Sequence, residues 1–282
     1  MSGRLVARPA HGATPAGVEA CATVEDSCDE GVASGTLVLV RHGRTAWNDA
    51  NFMTGWANPA LSATGVRDAR SLGGRLRRAG VLPTHVVTSR SDRAIETAGV
   101  IIEELDVALD IRTSWYWNER HLGMLQGLDR AAACLIYGRE RVREWKRRRD
   151  ATPPHLPLGD PRHPRHDARY RDVDPRALPG AESVAAMAER LATGWRRDVE
   201  PLVEGGATVM VVGHCHSLRE LVATLAVTPS CANASFARPG DSIILRRHGD
   251  AWTVVEEDPR RARHVARSFN DGPCPILATD RD

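Results

Sequence analysis

The stretch Leu37-Val-Leu-Val-Arg-His-Gly43 decides the fold of this chain. Its four consecutive apolar residues predict a buried parallel strand, because strands covered on both faces read as continuous runs of valine and leucine. Ligands of open α/β sheets lie just beyond the carboxyl ends of the strands, which is where His42 falls. The imidazole is a candidate nucleophile, and the Arg41 guanidinium is a candidate phosphate clamp. Alone this triplet is a weak signal, since a lone histidine after a strand is more often a loop or capping residue.

Composition limits the classes of partner. The 282 residues include 38 basic and 36 acidic side chains, a formal charge of +2, so no global field attracts nucleic acid or a membrane surface. A hydrophobic content of 42% is enough for one large α/β domain, and no run approaches the ~18 apolar residues of a membrane span. The six cysteines lack Cys-x-x-Cys spacing and are typical of reduced thiols in a cytoplasmic protein. We therefore expect a small-molecule partner and a local anion site.

Apolar segments with strand and helix spacing alternate along the chain. The predicted elements after the first strand are a helix from Ser62 to Gly80, a strand from His85 to Thr88, a helix from Asp92 to Leu105, a helix from Ser183, a strand from Thr208 to Val212, a helix from Ser217, and an edge hairpin of Ser242 to Leu245 and Trp252 to Val255. Such alternation indicates an α/β fold of three α/β/α layers, with a mostly parallel sheet and helices on both faces.

Three segments depart from this pattern. Residues 1–35 are predicted to be a disordered extension and 259–282 a solvated tail, which leaves 36–258 as the folded domain. Between about 150 and 180 the chain carries seven prolines interleaved with histidine and arginine, so regular structure is excluded. This segment is either a lid over the site or a plain disordered insertion.

Charged side chains converge on one predicted sheet edge. His214 follows the apolar run Val209–Val212, as His42 follows the first strand, and Arg93 lies in the first turn of the helix after the second strand. The carboxyl ends of parallel strands meet at one edge, and a helix N-terminus favours an anion. We therefore expect two histidines and two arginines to lie together around a phosphate-like group.

The order of these pieces resembles the histidine phosphatase superfamily, and in particular its cofactor-dependent phosphoglycerate mutases, from Thr36 to about Leu225. Further segments that carry the resemblance are Trp47-Asn48, Thr54-Gly-Trp56, Asn118-Glu-Arg-His121, Gly123-Met-Leu-Gln-Gly-Leu128 and Ser217-Leu-Arg219. The resemblance implies a phosphoglycerate mutase-like fold and a cytoplasmic homodimer or homotetramer. It also implies interconversion of 3-phosphoglycerate and 2-phosphoglycerate in glycolysis and gluconeogenesis, primed by 2,3-bisphosphoglycerate and without a metal.

Site roles follow from the resemblance residue by residue. His42 would accept the phosphoryl group, Arg41, Arg93 and His214 would surround it, and Glu119 would move the proton of the substrate hydroxyl as general acid and base. The implied substrate contacts are Thr45, Asn48, Thr54, Gly55, Arg120, Arg130, Lys146, Arg147, Cys215 and His216.

Four residues depart from the mutase pattern: Arg44, Leu122, Cys215 and His216. Cys215 places a side chain where a glycine amide approaches phosphate closely, although His216 still offers a donor to an anion. These departures keep open a metal-independent phosphatase acting on a small phosphorylated metabolite. A non-catalytic protein that binds a phosphorylated ligand is the third interpretation. A metal held by His214 and His216 is disfavoured, because the sequence offers no convincing carboxylate or thiolate partners.

Overall fold

Six strands form one mixed sheet, in the order β3-β2-β4-β1-β5-β6. They are β1 (Thr36–Arg41), β2 (His85–Thr88), β3 (Ile111–Thr113), β4 (Thr208–Gly213), β5 (Ser242–His248) and β6 (Ala251–Glu257). The first four strands are mutually parallel, whereas β5 pairs antiparallel with β1, and β6 pairs antiparallel with β5. The protein is seen here in a computed structural model, which describes residues 35–225, 227 and 236–257.

Helices cover both faces of this sheet. The α-helices are α1 (Ala46–Asp49), α2 (Ala63–Arg78), α3 (Asp92–Leu105), α4 (Arg130–Tyr137), α5 (Arg139–Arg147), α6 (Val184–Asp198), α7 (Glu200–Glu204) and α8 (Cys215–Thr224). Side chains of α2 and α3 share one core cluster with β1, and side chains of α6, α7 and α8 share the other. The predicted three-layer α/β/α architecture is thus confirmed.

The alternation of side chains along β1 explains the two cores. Leu37 and Leu39 enter the cluster with α6 to α8, whereas Val38 and Val40 enter the cluster with α2 and α3. All four side chains are fully buried. A strand with both faces buried needs an unbroken apolar run, which is the pattern that β1 shows.

Side chains cap the helices that flank the site. The Ser62 hydroxyl accepts a hydrogen bond from the Gly65 amide at 3.1 Å and begins α2 where it was predicted to begin. Ser183 does the same for α6, through the Ala186 amide at 3.0 Å. The helix predicted from Ser217 begins two residues earlier, at Cys215, which makes His214 its N-cap.

The short elements were not predicted. Strand β3 has only three residues, and α4 and α5 are separated by Gly138, whose φ of +86° suits glycine. The hairpin of β5 and β6 lies at the sheet edge as predicted and is longer than predicted.

Residues 150–180 contain two 3-10 turns, Pro164–His166 and Ala168–Tyr170, and no α-helix or strand. Both ends of the segment are tied down, because the Leu156 amide donates to the Gly180 carbonyl at 3.0 Å and the Met124 amide to the Pro154 carbonyl at 2.8 Å. Its role as a lid stays a prediction. The extension and the tail predicted at the two termini lie outside the described residues, apart from Gly35.

Among the described residues, no helix is long and apolar enough to cross a membrane. Cys134 and Cys215 are free thiols, and the other four cysteines lie outside the described residues.

Candidate active site

Three neighbouring strands end at one place on the sheet edge. Arg41 of β1 pairs with Gly213 of β4, and Thr88 of β2 pairs with Val212 of the same strand. The residues that follow these strands therefore emerge side by side. The imidazole rings of His42 and His214 lie 5.1 Å apart between centroids.

The backbone fixes the proton on the His42 ring. Its Nδ1 lies 2.7 Å from the Gly43 carbonyl oxygen. A carbonyl oxygen only accepts, so Nδ1 carries the hydrogen and donates it. The lone pair of the neutral ring is then on Nε2, the nitrogen on the opposite side of the ring. This tautomer is the one that a nucleophile attacking through Nε2 requires.

Burial and neighbouring cations keep the His42 ring neutral. Burial is the largest cause, followed by the charges of Arg93, His214 and Arg41, and together they hold the pKa of His42 well below its ordinary value. The hydrogen bond to Gly43 opposes this shift without reversing it. A neutral imidazole at physiological pH keeps its lone pair available.

The second histidine is held in the opposite tautomer. Arg93 Nη2 lies 3.3 Å from His214 Nδ1, and a guanidinium only donates, so Nδ1 accepts. The hydrogen is then on Nε2, which donates to the Ser89 hydroxyl at 2.8 Å. Burial, followed by the charge of Arg93, holds the pKa of His214 well below its ordinary value. Ser89 was not predicted as a site residue, although its place directly after β2 was a usable signal.

Both arginines keep a buried donor unused. Arg93 donates through Nη1 to the Ala57 carbonyl at 2.8 Å and through Nη2 to the Gly55 carbonyl at 3.0 Å. Arg41 donates through Nη1 to the Phe236 carbonyl at 2.9 Å and to the Ala237 carbonyl. The Nε of each is buried and has no hydrogen-bond partner among the described residues.

Buried polar groups are normally hydrogen-bonded, so these two donors are available to an acceptor that enters the site. Burial lowers the pKa of Arg93 to about 10, which leaves its guanidinium charged at neutral pH. Two fixed cations beside a neutral imidazole are suited to bind an anion such as a phosphoryl group.

Glu119 lies at the same edge with both carboxylate oxygens occupied. Oε1 accepts from the Arg120 amide at 2.8 Å, and Oε2 accepts from the His216 amide at 3.2 Å. Burial raises the pKa of Glu119. This effect is outweighed by the charge of His216 and its hydrogen bond to the carboxylate, by the charge of His214, and by the hydrogen bond from the Arg120 amide. The pKa of Glu119 is therefore held well below its ordinary value. The side chain is therefore a carboxylate in the resting site.

A buried ion pair positions the Glu119 backbone. Arg190 bonds the Glu182 carboxylate at 2.7 Å and donates to the Glu119 carbonyl at 3.2 Å, and Trp56 Nε1 donates to the same carbonyl at 2.6 Å. Arg190 and Glu182 are both nearly inaccessible to solvent. Neither was predicted, because nothing in their spacing distinguishes them from a surface pair.

The proline-rich segment packs against the elements that carry the site. The Tyr170 hydroxyl accepts from Asn118 Nδ2 at 2.8 Å, and its ring lies 5.0 Å from that of Trp56. A second contact of the segment is an ion pair, in which Arg90 Nη2 donates to the Asp172 carboxylate at 2.7 Å. Tyr170, the ion pair of Asp172 with Arg90, and a hydrogen bond from Arg169 Nη2 to the Trp56 carbonyl at 3.2 Å thus hold this segment beside the residues next to Glu119.

Several predicted substrate contacts are engaged in the fold. Arg120 donates through Nε, Nη1 and Nη2 to the carbonyls of Glu182, Trp145 and Ala151, each at 2.8 Å. Thr45 and Asn48 bond each other in a capping box at the start of α1. The structure thus gives these three residues a structural role, and their substrate role stays a prediction.

The remaining predicted contacts lie at different depths. Gly55, with φ of +51°, is buried and presents its carbonyl to Arg93, while Thr54 beside it is half-buried. Cys215 is half-buried at the first position of α8. Arg130, Lys146 and Arg147 are exposed, at the start of α4 and the end of α5. His216 is partly exposed to solvent and also contacts Glu119.

Next to the Glu119 segment, His121 is a buried histidine that acid should protonate. Its Nδ1 accepts from the Gly123 amide at 3.1 Å, and its Nε2 has no partner among the described residues. Burial, and then the charges of His163, Arg190 and His155, lower its pKa to about 3 from 6.5. Between pH 6.5 and pH 3 the unfolded chain therefore binds a proton at His121 that the folded chain does not bind. The free energy of unfolding thus falls as the pH falls below 6.5.

We expect the loss of unfolding free energy between pH 7 and pH 4.5 to be about 3 kcal/mol smaller in the His121→Gln variant than in the wild type. Glutamine can accept from the Gly123 amide but does not titrate. Urea unfolding of both proteins at both pH values checks this. Equal losses in the two proteins would show that His121 is not the acid-sensitive group.

Among the described residues, no group of three or more histidine, cysteine, aspartate or glutamate side chains is arranged to hold a metal ion. Positive charge at this sheet edge comes from the arginines.

This geometry can be compared with known proteins. Residues 37–163 match the sequence model of the histidine phosphatase superfamily, branch 1. That range contains His42, Arg93 and Glu119, which the fold brings together. The match covers 127 of the 282 residues, and this part of the chain is similar to that superfamily.

Solved structures share the fold at low sequence identity. A mycobacterial glucosyl-3-phosphoglycerate phosphatase in complex with VO3 aligns with TM-score 0.56 and 23% identity, covering 78% of this chain and 96% of its own. A phosphoglycerate mutase from Bacillus anthracis aligns with TM-score 0.58 and 20% identity, covering 80% and 93%. A protein described as mycobacterial hydrolase 1 aligns with TM-score 0.57 and 23% identity, covering 79% and 98%. At these identities the likeness shows the fold alone, and the neighbours include both a phosphatase and a mutase.

Proposed function

We propose that this chain is a metal-independent phosphatase that transfers the phosphoryl group of a small phosphorylated metabolite to His42 and then to water. The observation that carries this proposal is the hydrogen bond from His42 Nδ1 to the Gly43 carbonyl, which leaves the Nε2 lone pair facing away from the backbone. A neutral imidazole in this tautomer, beside two arginines with unused buried donors, is suited to accept a phosphoryl group.

In the first step, His42 Nε2 attacks phosphorus and the ester oxygen departs in line. The charge on the three equatorial oxygens is stabilised by Arg41 and Arg93. His214 donates its Nε2 hydrogen to Ser89 and keeps its ring against the Arg93 guanidinium. In the second step, water attacks the phosphohistidine, and Glu119, held as a carboxylate, accepts its proton.

Hydrolysis is favoured over isomerisation by the residues around the phosphoryl site. A mutase must retain a bisphosphorylated intermediate, and this requires a second anion site beside the first. Arg120, Thr45 and Asn48 were predicted to contact the substrate, and their polar groups are engaged within the protein. A retained phosphorylated intermediate would then compete less with water for reaction with the phosphohistidine.

A phosphoglycerate mutase primed by 2,3-bisphosphoglycerate is the second candidate. Lys146 and Arg147 end α5 directly after Trp145, whose carbonyl is bonded by Arg120 beside Glu119. The two side chains put positive charge at the end of α5, and a second phosphate or a carboxylate would be attracted to it. The same chemistry at His42 serves both candidates.

Phosphorus NMR separates the two candidates. Purified protein is mixed with 3-phosphoglycerate in the presence of a chelator, with and without a trace of 2,3-bisphosphoglycerate, and His42→Ala is the matched control. Inorganic phosphate without 2-phosphoglycerate supports the phosphatase. Primer-dependent 2-phosphoglycerate supports the mutase. If neither product forms, the assay is extended to a panel of small phosphomonoesters, and failure to hydrolyse any of them would overturn the proposal.

A further inference from the structure

His216 contacts the acid–base carboxylate in two ways. Its backbone amide donates to Glu119 Oε2 at 3.2 Å, and its side-chain Nδ1 lies 3.4 Å from the same oxygen. The Glu119 side chain is 11% exposed, whereas the His216 side chain is 40% exposed. Glu119 is thus largely buried, whereas His216 reaches solvent.

Charged groups face Glu119 from several elements, including Arg190 of α6, which donates to the Glu119 carbonyl at 3.2 Å. His214 and His216 come from α8, Arg93 from α3, and Arg120 is its own neighbour in sequence. This environment holds the pKa of Glu119 well below its ordinary value, despite burial. Glu119 by itself is therefore a poor proton donor at neutral pH, although the first step must supply a proton to the departing oxygen.

We propose that Glu119 and His216 share one proton, and that His216 is the positioning residue that keeps this proton available for the leaving oxygen. Histidine is the side chain whose ordinary titration falls between pH 5 and 8, so it can hold a proton that the carboxylate alone would release to solvent. This inference rests on the proposed function and assigns His216 a role beyond the anion contact predicted from the sequence.

The proton balance closes over one catalytic cycle. In the resting pair the shared proton lies between His216 Nδ1 and Glu119 Oε2, which are 3.4 Å apart. When the N–P bond forms at His42 and the O–P bond of the ester breaks, the leaving oxygen takes this proton through Glu119, and the pair is left without it. When water attacks, its O–P bond forms, the N–P bond breaks, and the water proton returns to the pair. No oxidant or metal is required.

The test compares two leaving groups in the His216→Asn variant. Asparagine retains the backbone amide bond to Glu119 but cannot carry a titrating proton. β-Glycerol phosphate has a basic alkoxide leaving group that needs the proton, whereas the 4-nitrophenolate of 4-nitrophenyl phosphate departs without one. The matched control is His85→Asn, because His85 is exposed at the start of β2.

We expect the ratio of kcat on β-glycerol phosphate to kcat on 4-nitrophenyl phosphate to fall about tenfold in His216→Asn. We also expect the alkaline limb of the pH profile on β-glycerol phosphate to move down by about one pH unit, because the proton must then reside on Glu119 alone. His85→Asn should keep both the wild-type ratio and the wild-type limb.

A wild-type ratio and a wild-type alkaline limb in His216→Asn would overturn the inference and leave the proposed function standing. A wild-type protein inactive on both esters and on other small phosphomonoesters would instead overturn the proposed function, and this inference with it. Turnover by the wild-type protein therefore distinguishes failure of the inference about His216 from failure of the proposed function.

Discussion

Replacing His42 by alanine is expected to reduce turnover of 4-nitrophenyl phosphate by at least ~10³-fold. The variant lacks the nitrogen that forms the N–P bond, while Arg41, Arg93 and His214 are kept. The His42 side chain bonds only its neighbouring carbonyl among the described residues, so the sheet should remain folded. Release of 4-nitrophenolate measures the loss, and thermal unfolding verifies the fold.

The matched control is His85→Ala, which removes an exposed histidine and should keep wild-type turnover. Substantial turnover in His42→Ala would contradict covalent transfer through this residue. It would indicate either direct attack by water or another nucleophile at the same sheet edge.

The second large effect is expected from Glu119→Gln. Glutamine still accepts a hydrogen bond from the Arg120 amide but cannot transfer a proton, so the rate on an alkyl phosphate should fall by about 10²–10⁴-fold. On 4-nitrophenyl phosphate the first step should survive, because the leaving group needs no proton, whereas attack by water should slow.

The phosphohistidine should then accumulate in Glu119→Gln. A burst of 4-nitrophenolate and a mass gain of one phosphoryl group on the intact protein would record it. Steady turnover at the wild-type rate, without a burst and without phosphoprotein, would contradict the role of Glu119 as base.

Much of the fold could be predicted from short patterns. The run Leu37–Val40 specified a strand buried on both faces, since each alternate side chain needs an apolar neighbour. Ser62 specified a helix start because its hydroxyl satisfies an otherwise unpaired amide. Strand β3 was not predicted. It has only three residues, and the exposed Arg112 and Thr113 give it no alternation of apolar and polar side chains.

Placement at the site was predictable to the level of the sheet edge. Residues that follow parallel strands converge whatever their side chains, which placed His42 and His214 together. The partners of long side chains were not predictable. Arg120 reaches three carbonyls that are distant in sequence, and only the folded backbone determines that they meet.

His216 shows the same limit. Its sequence position beside His214 suggested a donor to an anion of the substrate. The first turn of α8 brings its amide and its ring to a carboxylate 97 residues earlier in the chain, a contact that was not predicted, and the contact with a substrate anion stays a prediction. The hydrogen bonds that set the histidine tautomers are likewise invisible in the sequence, since they depend on where one carbonyl and one guanidinium lie.

The most direct measurement is identification of the phosphorylated nitrogen. Wild-type protein and Glu119→Gln are mixed with 4-nitrophenyl phosphate, quenched in alkali, which preserves phosphohistidine, and analysed by peptide mapping and phosphorus NMR. Because Nδ1 is committed to the Gly43 carbonyl, phosphate should be found on Nε2 of His42. Phosphate on Nδ1, on another histidine, or on no residue while turnover continues would contradict transfer through this lone pair.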